Sequence, residues 1–197
     1  MKILILSQYF YPENFKINDL IFSLKKRGHQ ITVLTGKPNY SKTHFFEGYG
    51  WKSDDFEIIN HIPVYRANLF SRRNGGAFRL FLNYISFAIL ASLKVRKIKG
   101  SFDAIFVYQT SPVTVGIPAI FAKFFFKTPI YFWVQDLWPE SLSAAGGVKN
   151  KLVLGLFNSL TKWIYNQSKN ILIQSDGFRE YILNQGIPND KIIFYPN

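Results

Sequence analysis

Cysteine is absent from the 197 residues. Thiolate metal sites, redox dithiols and cysteine nucleophiles are thereby excluded, and a reducing, cytosolic setting is expected. Histidine occurs only as His29, His44 and His61, too scattered to suggest a ligand set, so no metal is expected. Acidic residues are few: 12 Asp and Glu stand against 24 Lys and Arg, for a formal charge of +12. No stretch reads as a G-x-G-x-x-G dinucleotide fingerprint, and the candidate strand ending at Thr35-Gly36-Lys37 lacks the acid that would hold a ribose hydroxyl. An NAD enzyme is disfavoured. So is a sugar epimerase or reductase needing that fingerprint with a Tyr-x-x-x-Lys pair. The longest apolar run, Leu80 to Leu93, falls short of the ~20 residues that span hydrocarbon and is interrupted by Asn83, Ser86 and Ser92. The opening Lys2–Ser7 is too short for a secretory h-region and reads as a buried strand.

What is present alternates. Short Ile- and Val-rich runs at 2–7, 31–35, 104–108, 130–134, 171–173 and 192–195 are separated by segments of helical period. That rhythm predicts an α/β, Rossmann-like, doubly wound and mostly parallel sheet with strands buried on both faces. A helix is predicted over 14–27, ending in Lys25, Lys26 and Arg27 before Gly28. Another is expected from Ser175 or Asp176 to Gly186. Two shorter runs, Phe56 to Ile59 and Val64 to Arg66, suggest a sheet-edge extension or a hairpin. Hydrophobic residues at 48% suffice for one core, and residues 1–197 read as one domain. A closing strand followed at once by Pro196-Asn197 reads as a cut rather than a natural end.

In open parallel sheets ligands bind beyond the carboxyl ends of strands. The loop after the first strand carries Tyr9, Phe10 and Tyr11, whose rings can stack on a sugar. It also carries the helix start at Asn14, Phe15 and Lys16, where free N–H groups and an ammonium suit a phosphate; simple helix initiation with packed rings is the other reading. The strand 104–108 delivers Thr110 and Ser111, candidate acceptor contacts or plain capping residues. The strand 130–134 delivers Gln135, Asp136, Trp138 and Glu140. Two carboxylates four residues apart can orient hydroxyls or accept protons, or Asp136 can merely cap the next helix.

The segments YFYPENFKIND, VQDLWPES, AAGG and ILIQSDGFREYILNQGIPNDKIIFYPN together resemble the amino-terminal half of family 4 glycosyltransferases of the GT-B fold. The bacterial O-antigen and capsule enzymes, which include N-acetyl-L-fucosaminyltransferases, are the most similar. The resemblance implies an acceptor-binding domain, with a donor-binding domain beyond residue 197 as its missing partner. It implies Asp136, Glu140 and Gln135 as catalytic, Asn14, Phe15 and Lys16 at the donor phosphates, and Tyr9, Tyr11, Thr110, Ser111 and Trp138 at a lipid-linked saccharide acceptor. The donor would be a nucleotide sugar, UDP-linked, used as a substrate with no cofactor. Many members carry a Gly pair in the first loop and a His before the strand-end Asp. Here Pro12 to Lys16 and Gln135 stand there, so a His base is not expected and retaining, front-face transfer is what the resemblance implies. The non-catalytic alternative is a module docking to a membrane or to a separate donor-domain protein.

Between Glu57 and Asp103 no acid occurs, while eight basic residues do. Arg72, Arg73, Arg79, Lys94, Arg96 and Lys97, beside the apolar run, suggest a peripheral face on an anionic membrane, the inner side of the cytoplasmic membrane being the expected location. A core-packed helix with solvated basic ends is the alternative. No nucleic-acid motif accompanies the charge, so nucleic acid is not expected as a partner.

Overall fold

The computed structural model describes residues 1–40, 44–73, 76–146 and 148–197. Eight strands form one sheet in the order β3-β4-β2-β1-β5-β6-β7-β8. They are β1 (Lys2–Ser7), β2 (Gln30–Gly36), β3 (Phe56–Ile59), β4 (Ile62–Ala67), β5 (Ala104–Gln109), β6 (Ile130–Val134), β7 (Asn170–Ile173) and β8 (Ile192–Phe194). Every pairing is parallel except β3 with β4. That pair is a hairpin turned by Asn60 and His61, both at positive φ, and it also extends the sheet edge.

Successive strand residues point to opposite faces, and both faces are covered. Leu4, Leu6, Leu34 and Val107 enter the core under α2 (Ala77–Val95), α3 (Gly116–Phe126), α5 (Lys151–Gln167) and α6 (Gly177–Asn184). Ile3, Ile5, Val33 and Tyr108 enter the core under α1 (Lys16–Lys26). Helix α1 buries Ile17 and Ile21 and ends on Lys25 and Lys26, favourable beside the negative helix end. Gly28, at φ 84°, turns the chain away as expected. At α6 the N-cap is Asp176, but Ser175 Oγ is the side-chain atom that accepts the N–H of Gly177, at 3.3 Å.

Helix α2 outruns the expected segment: its window Phe78–Val95 is long and apolar enough to cross a membrane by composition. It nevertheless packs on the sheet, burying Asn83, Phe87, Ala91 and Val95. The short α4 (Glu140–Gly146) follows β6.

The chain leaves β1 for β2 on one side and returns to β5 on the other. Crossovers diverging from β1 open a crevice above its carboxyl end, the switch point where doubly wound sheets bind ligands.

Candidate functional site

A cavity of about 850 Å³ lies over this crevice, within the size range of small-molecule sites. Loops after β5 and β6 contribute Thr110, Ser111, Asp136 and Trp138. Helices α4 and α5 contribute Ser141, Leu142, Val153 and Phe157. The opposite wall is Phe15, Tyr40, Arg72 and the start of α2, with Phe78, Phe81 and Tyr84.

Asp136 is half-buried at the end of β6, and burial raises its carboxyl above the usual range. Its main-chain carbonyl accepts Gln109 Nε2 at 3.1 Å, and the same amide donates to the Thr110 carbonyl at 2.6 Å. Gln109, fully buried at the end of β5, therefore fixes both polar loops from below. In the sequence it stands only as the residue before Thr110.

Glu140 does not share the cavity with Asp136. It is exposed at the start of α4, close enough to Tyr181 on α6 to help burial raise that phenol. The four-residue spacing, read as two carboxylates in one cleft, leaves Glu140 exposed as the first residue of α4. Gln135 also stays out of the lining. Its N–H donates to the Gln109 carbonyl at 2.8 Å, and its carbonyl accepts Gln174 Nε2 at 2.8 Å. Trp138 lines the cavity while 2% exposed, its ring between Tyr84 and Phe157. Its carbonyl takes the Tyr181 hydroxyl at 3.1 Å.

The first loop is arranged differently from the sequence expectation. Tyr9 is buried under Phe15, which stacks on it at 5.1 Å and 12°, so Phe15 and Tyr40, not Tyr9, present rings to the cavity. Tyr11 is exposed and outside the lining. Asn14 and Lys16 are exposed and also outside it. The α1 start carries no side-chain cap at Phe15; the Asn18 N–H donates to the Phe15 carbonyl at 2.9 Å, and Ile17 and Asn18 are buried while Lys16 is exposed.

A buried polar layer supports these loops, and the sequence reading did not find it. Asn83 Nδ2 donates to Asn39 Oδ1 at 3.1 Å and to the Phe70 carbonyl at 2.6 Å, while its Oδ1 accepts Gln8 Nε2 at 2.7 Å. The one available signal was Asn83 inside an apolar run. Glu13 Oε1 accepts the N–H groups of Asn39 at 2.7 Å and Tyr40 at 2.5 Å; burial nonetheless raises the carboxyl. Lys37 has no exposed surface, and its Nζ donates to the carbonyls of Gly50 at 2.8 Å, Ser53 at 2.7 Å and Asp54 at 3.1 Å. Gly36 just before it is required by close approach: a Cβ there would stand 2.9 Å from the Gln8 carbonyl.

The six basic residues assigned to a membrane face separate. Arg72 turns into the cavity, its guanidinium 4.6 Å over the Tyr40 ring and Nη2 3.1 Å from the Tyr84 hydroxyl. Lys94, 10% exposed, pairs with Asp55, which also lies 3.5 Å from Lys97. Asp55 precedes the acid-free stretch in sequence yet folds onto its far end. Arg96 lies over Phe121; Arg79 is half-buried and Arg73 exposed. Among the described residues no group of three His, Cys, Asp or Glu is placed to hold a metal ion.

Residues 16–197 match the glycosyl transferase 4-like domain. The chain belongs to this family. No curated protein matches the domain by sequence. Among solved structures, sucrose-phosphate synthase from Thermosynechococcus elongatus is similar over 99% of this domain and 47% of its own chain, at 13% identity and TM-score 0.63. Anabaena HepE in complex with UDP and glucose is similar over 100% and 44%, at 13% identity and TM-score 0.56. UDP-GlcNAc 2-epimerase from Methanocaldococcus jannaschii is similar over 98% and 45%, at 17% identity and TM-score 0.55. These similarities establish the Rossmann-like fold of a GT-B amino-terminal domain. The domain spans less than half of each of these chains. An epimerase shares the architecture, so the fold alone does not separate transfer from epimerisation, whereas the family match points to transfer.

Proposed function

We propose that this domain is the acceptor-binding half of a retaining glycosyltransferase. Such an enzyme moves a sugar from a UDP-linked donor to a lipid-linked saccharide during bacterial O-antigen or capsule assembly, N-acetyl-L-fucosamine being one candidate sugar. The supporting observation is a family match over residues 16–197 joined to a cavity above the switch point that gathers Asp136, Thr110 and Ser111. In this reading the cavity holds the acceptor. Its hydroxyl bonds to the anomeric carbon on the face from which the nucleoside diphosphate leaves, and the hydroxyl proton passes to the departing phosphate oxygen. Asp136 and the two hydroxyls orient the acceptor. Lys16, exposed at the start of α1, stands where a donor-binding domain would bring the diphosphate. The enzyme works at the inner face of the cytoplasmic membrane.

Incubating the full-length protein with UDP-sugars and a lipid-linked saccharide tests this. The expected product is a new glycoside with the donor's anomeric configuration, read by NMR. Inversion would reject the mechanism, and acceptor-independent epimerisation of the donor would reject transfer itself.

A further inference from the structure

The cavity holds a cation without a carboxylate partner. Arg72 is 4.6 Å over Tyr40 and 5.8 Å from both the Tyr9 and Tyr84 rings, and none of the ion pairs among the described residues includes it. A guanidinium carries five N–H donors in a planar fork. Phenol rings and the Tyr84 hydroxyl hold that plane, leaving donors for an anion that takes two of them side by side.

Much of the lining around Arg72, on both walls, is hydrocarbon. Phe78, Phe81, Leu142, Val153 and Phe157 supply it, and they give sugar hydroxyls nothing to bond. The apolar surface continues out of the mouth: Phe78 and Phe81 are 71% and 50% exposed, and Ile89 and Leu93 follow at helical spacing on α2 at 56% and 54%. Helices α2, α3 and α5, side by side on this face of the sheet, contain no acidic residue. A cation caged by rings, beside an apolar channel opening along helices that carry no acid of their own, fits a molecule with a phosphate joined to a hydrocarbon chain.

We propose that Arg72, with Tyr40 and Tyr84, binds the phosphate or diphosphate of the acceptor lipid, whose hydrocarbon runs out past Phe78 and Phe81. The sugar attached to that diphosphate then reaches toward Thr110, Ser111 and Asp136. The inference rests on the lipid-linked acceptor of the proposed function and assigns the residues that recognise it.

Titration calorimetry of the full-length protein tests it with farnesyl diphosphate, farnesol, inorganic diphosphate and dihexanoyl phosphatidate. Farnesyl diphosphate should bind at least tenfold tighter than farnesol or inorganic diphosphate. Arg72→Gln should remove that advantage over farnesol, and Arg72→Lys should restore part of it. Phe81→Ser should weaken farnesyl diphosphate and farnesol alike. Unchanged farnesyl diphosphate binding by Arg72→Gln with an unchanged thermal midpoint would overturn the assignment, as would inorganic diphosphate binding equally well. Tighter binding of dihexanoyl phosphatidate would overturn the acceptor lipid as the ligand in favour of a membrane phospholipid. Transfer to a lipid-linked acceptor with an Arg72-independent KM would sink this inference alone. Arg72-dependent farnesyl diphosphate binding by an enzyme that transfers only to water-soluble acceptors would sink the proposed acceptor and leave the amphiphile site.

Discussion

Gln109 Nε2 donates to the main-chain carbonyl of Asp136 at 3.1 Å, so a side chain at the end of β5 sets the height of a carboxylate at the end of β6. Gln109→Leu keeps the bulk but strands the carbonyls of Thr110 and Asp136. The expected loss is about tenfold or more in kcat/KM in the full-length enzyme, with a thermal midpoint only a few degrees lower. Steady-state kinetics beside a melting curve separates the two effects.

Asp136→Asn should lower kcat/KM more than tenfold while sparing stability. Burial raises the Asp136 carboxyl, so the folded state holds its proton more tightly than the unfolded chain. This contribution is greatest at low pH and is lost as pH rises through the ordinary carboxyl range to the raised folded value. At neutral pH the ionised group therefore opposes folding. The variant should melt no lower than the parent at pH 7, and any advantage should close near pH 4, where an ordinary aspartate is half protonated. A markedly lower midpoint at pH 7 would assign Asp136 to structure.

Lys16→Ala should raise the KM for the nucleotide sugar more than that for the acceptor, because Lys16 stands outside the cavity on the open side of α1. An equal rise in both would reject a donor role.

Asn83→Leu should destabilise the domain by about 2–3 kcal/mol, because buried Gln8 Nε2 and the Phe70 carbonyl lose their bonds to Asn83 and Asn39 Oδ1 keeps only the Arg72 N–H. Urea unfolding measures this, with an unchanged m-value expected.

Vesicle flotation should depend on apolar residues more than on the predicted cations. Replacing Phe78, Ile89 and Leu93 with Ser should reduce recovery with anionic vesicles. Neutralising Lys94 should not, since it is already paired with Asp55. Recovery unaffected by the serine replacements would remove the membrane from this face.

The strands were legible because both faces of the sheet are covered. Runs such as Lys2–Ser7 are buried almost continuously, a pattern few other elements produce. The cavity was legible only as loops after strands. Spacing placed Asp136 correctly at the β6 lip but could not show that α4 turns Glu140 away. The place of Arg72 in the cavity was not legible for a related reason: its charge is written in the sequence, whereas its setting depends on Tyr9, Tyr40 and Tyr84 arriving from three separate segments. Gln109, Glu13 and Lys37 carry no local pattern, since each bonds main-chain groups of a loop distant in sequence.

Lys37 gives the domain a chemical clock. An ammonium gripped by the carbonyls of Gly50, Ser53 and Asp54 is withheld from acylating reagents until the 50–54 loop lifts. Exposed lysines such as Lys16 and Lys97 are open to the same reagents throughout. The lag between their labelling and that of Lys37, followed by mass spectrometry, would time the opening of a single loop beside the crevice in the native protein.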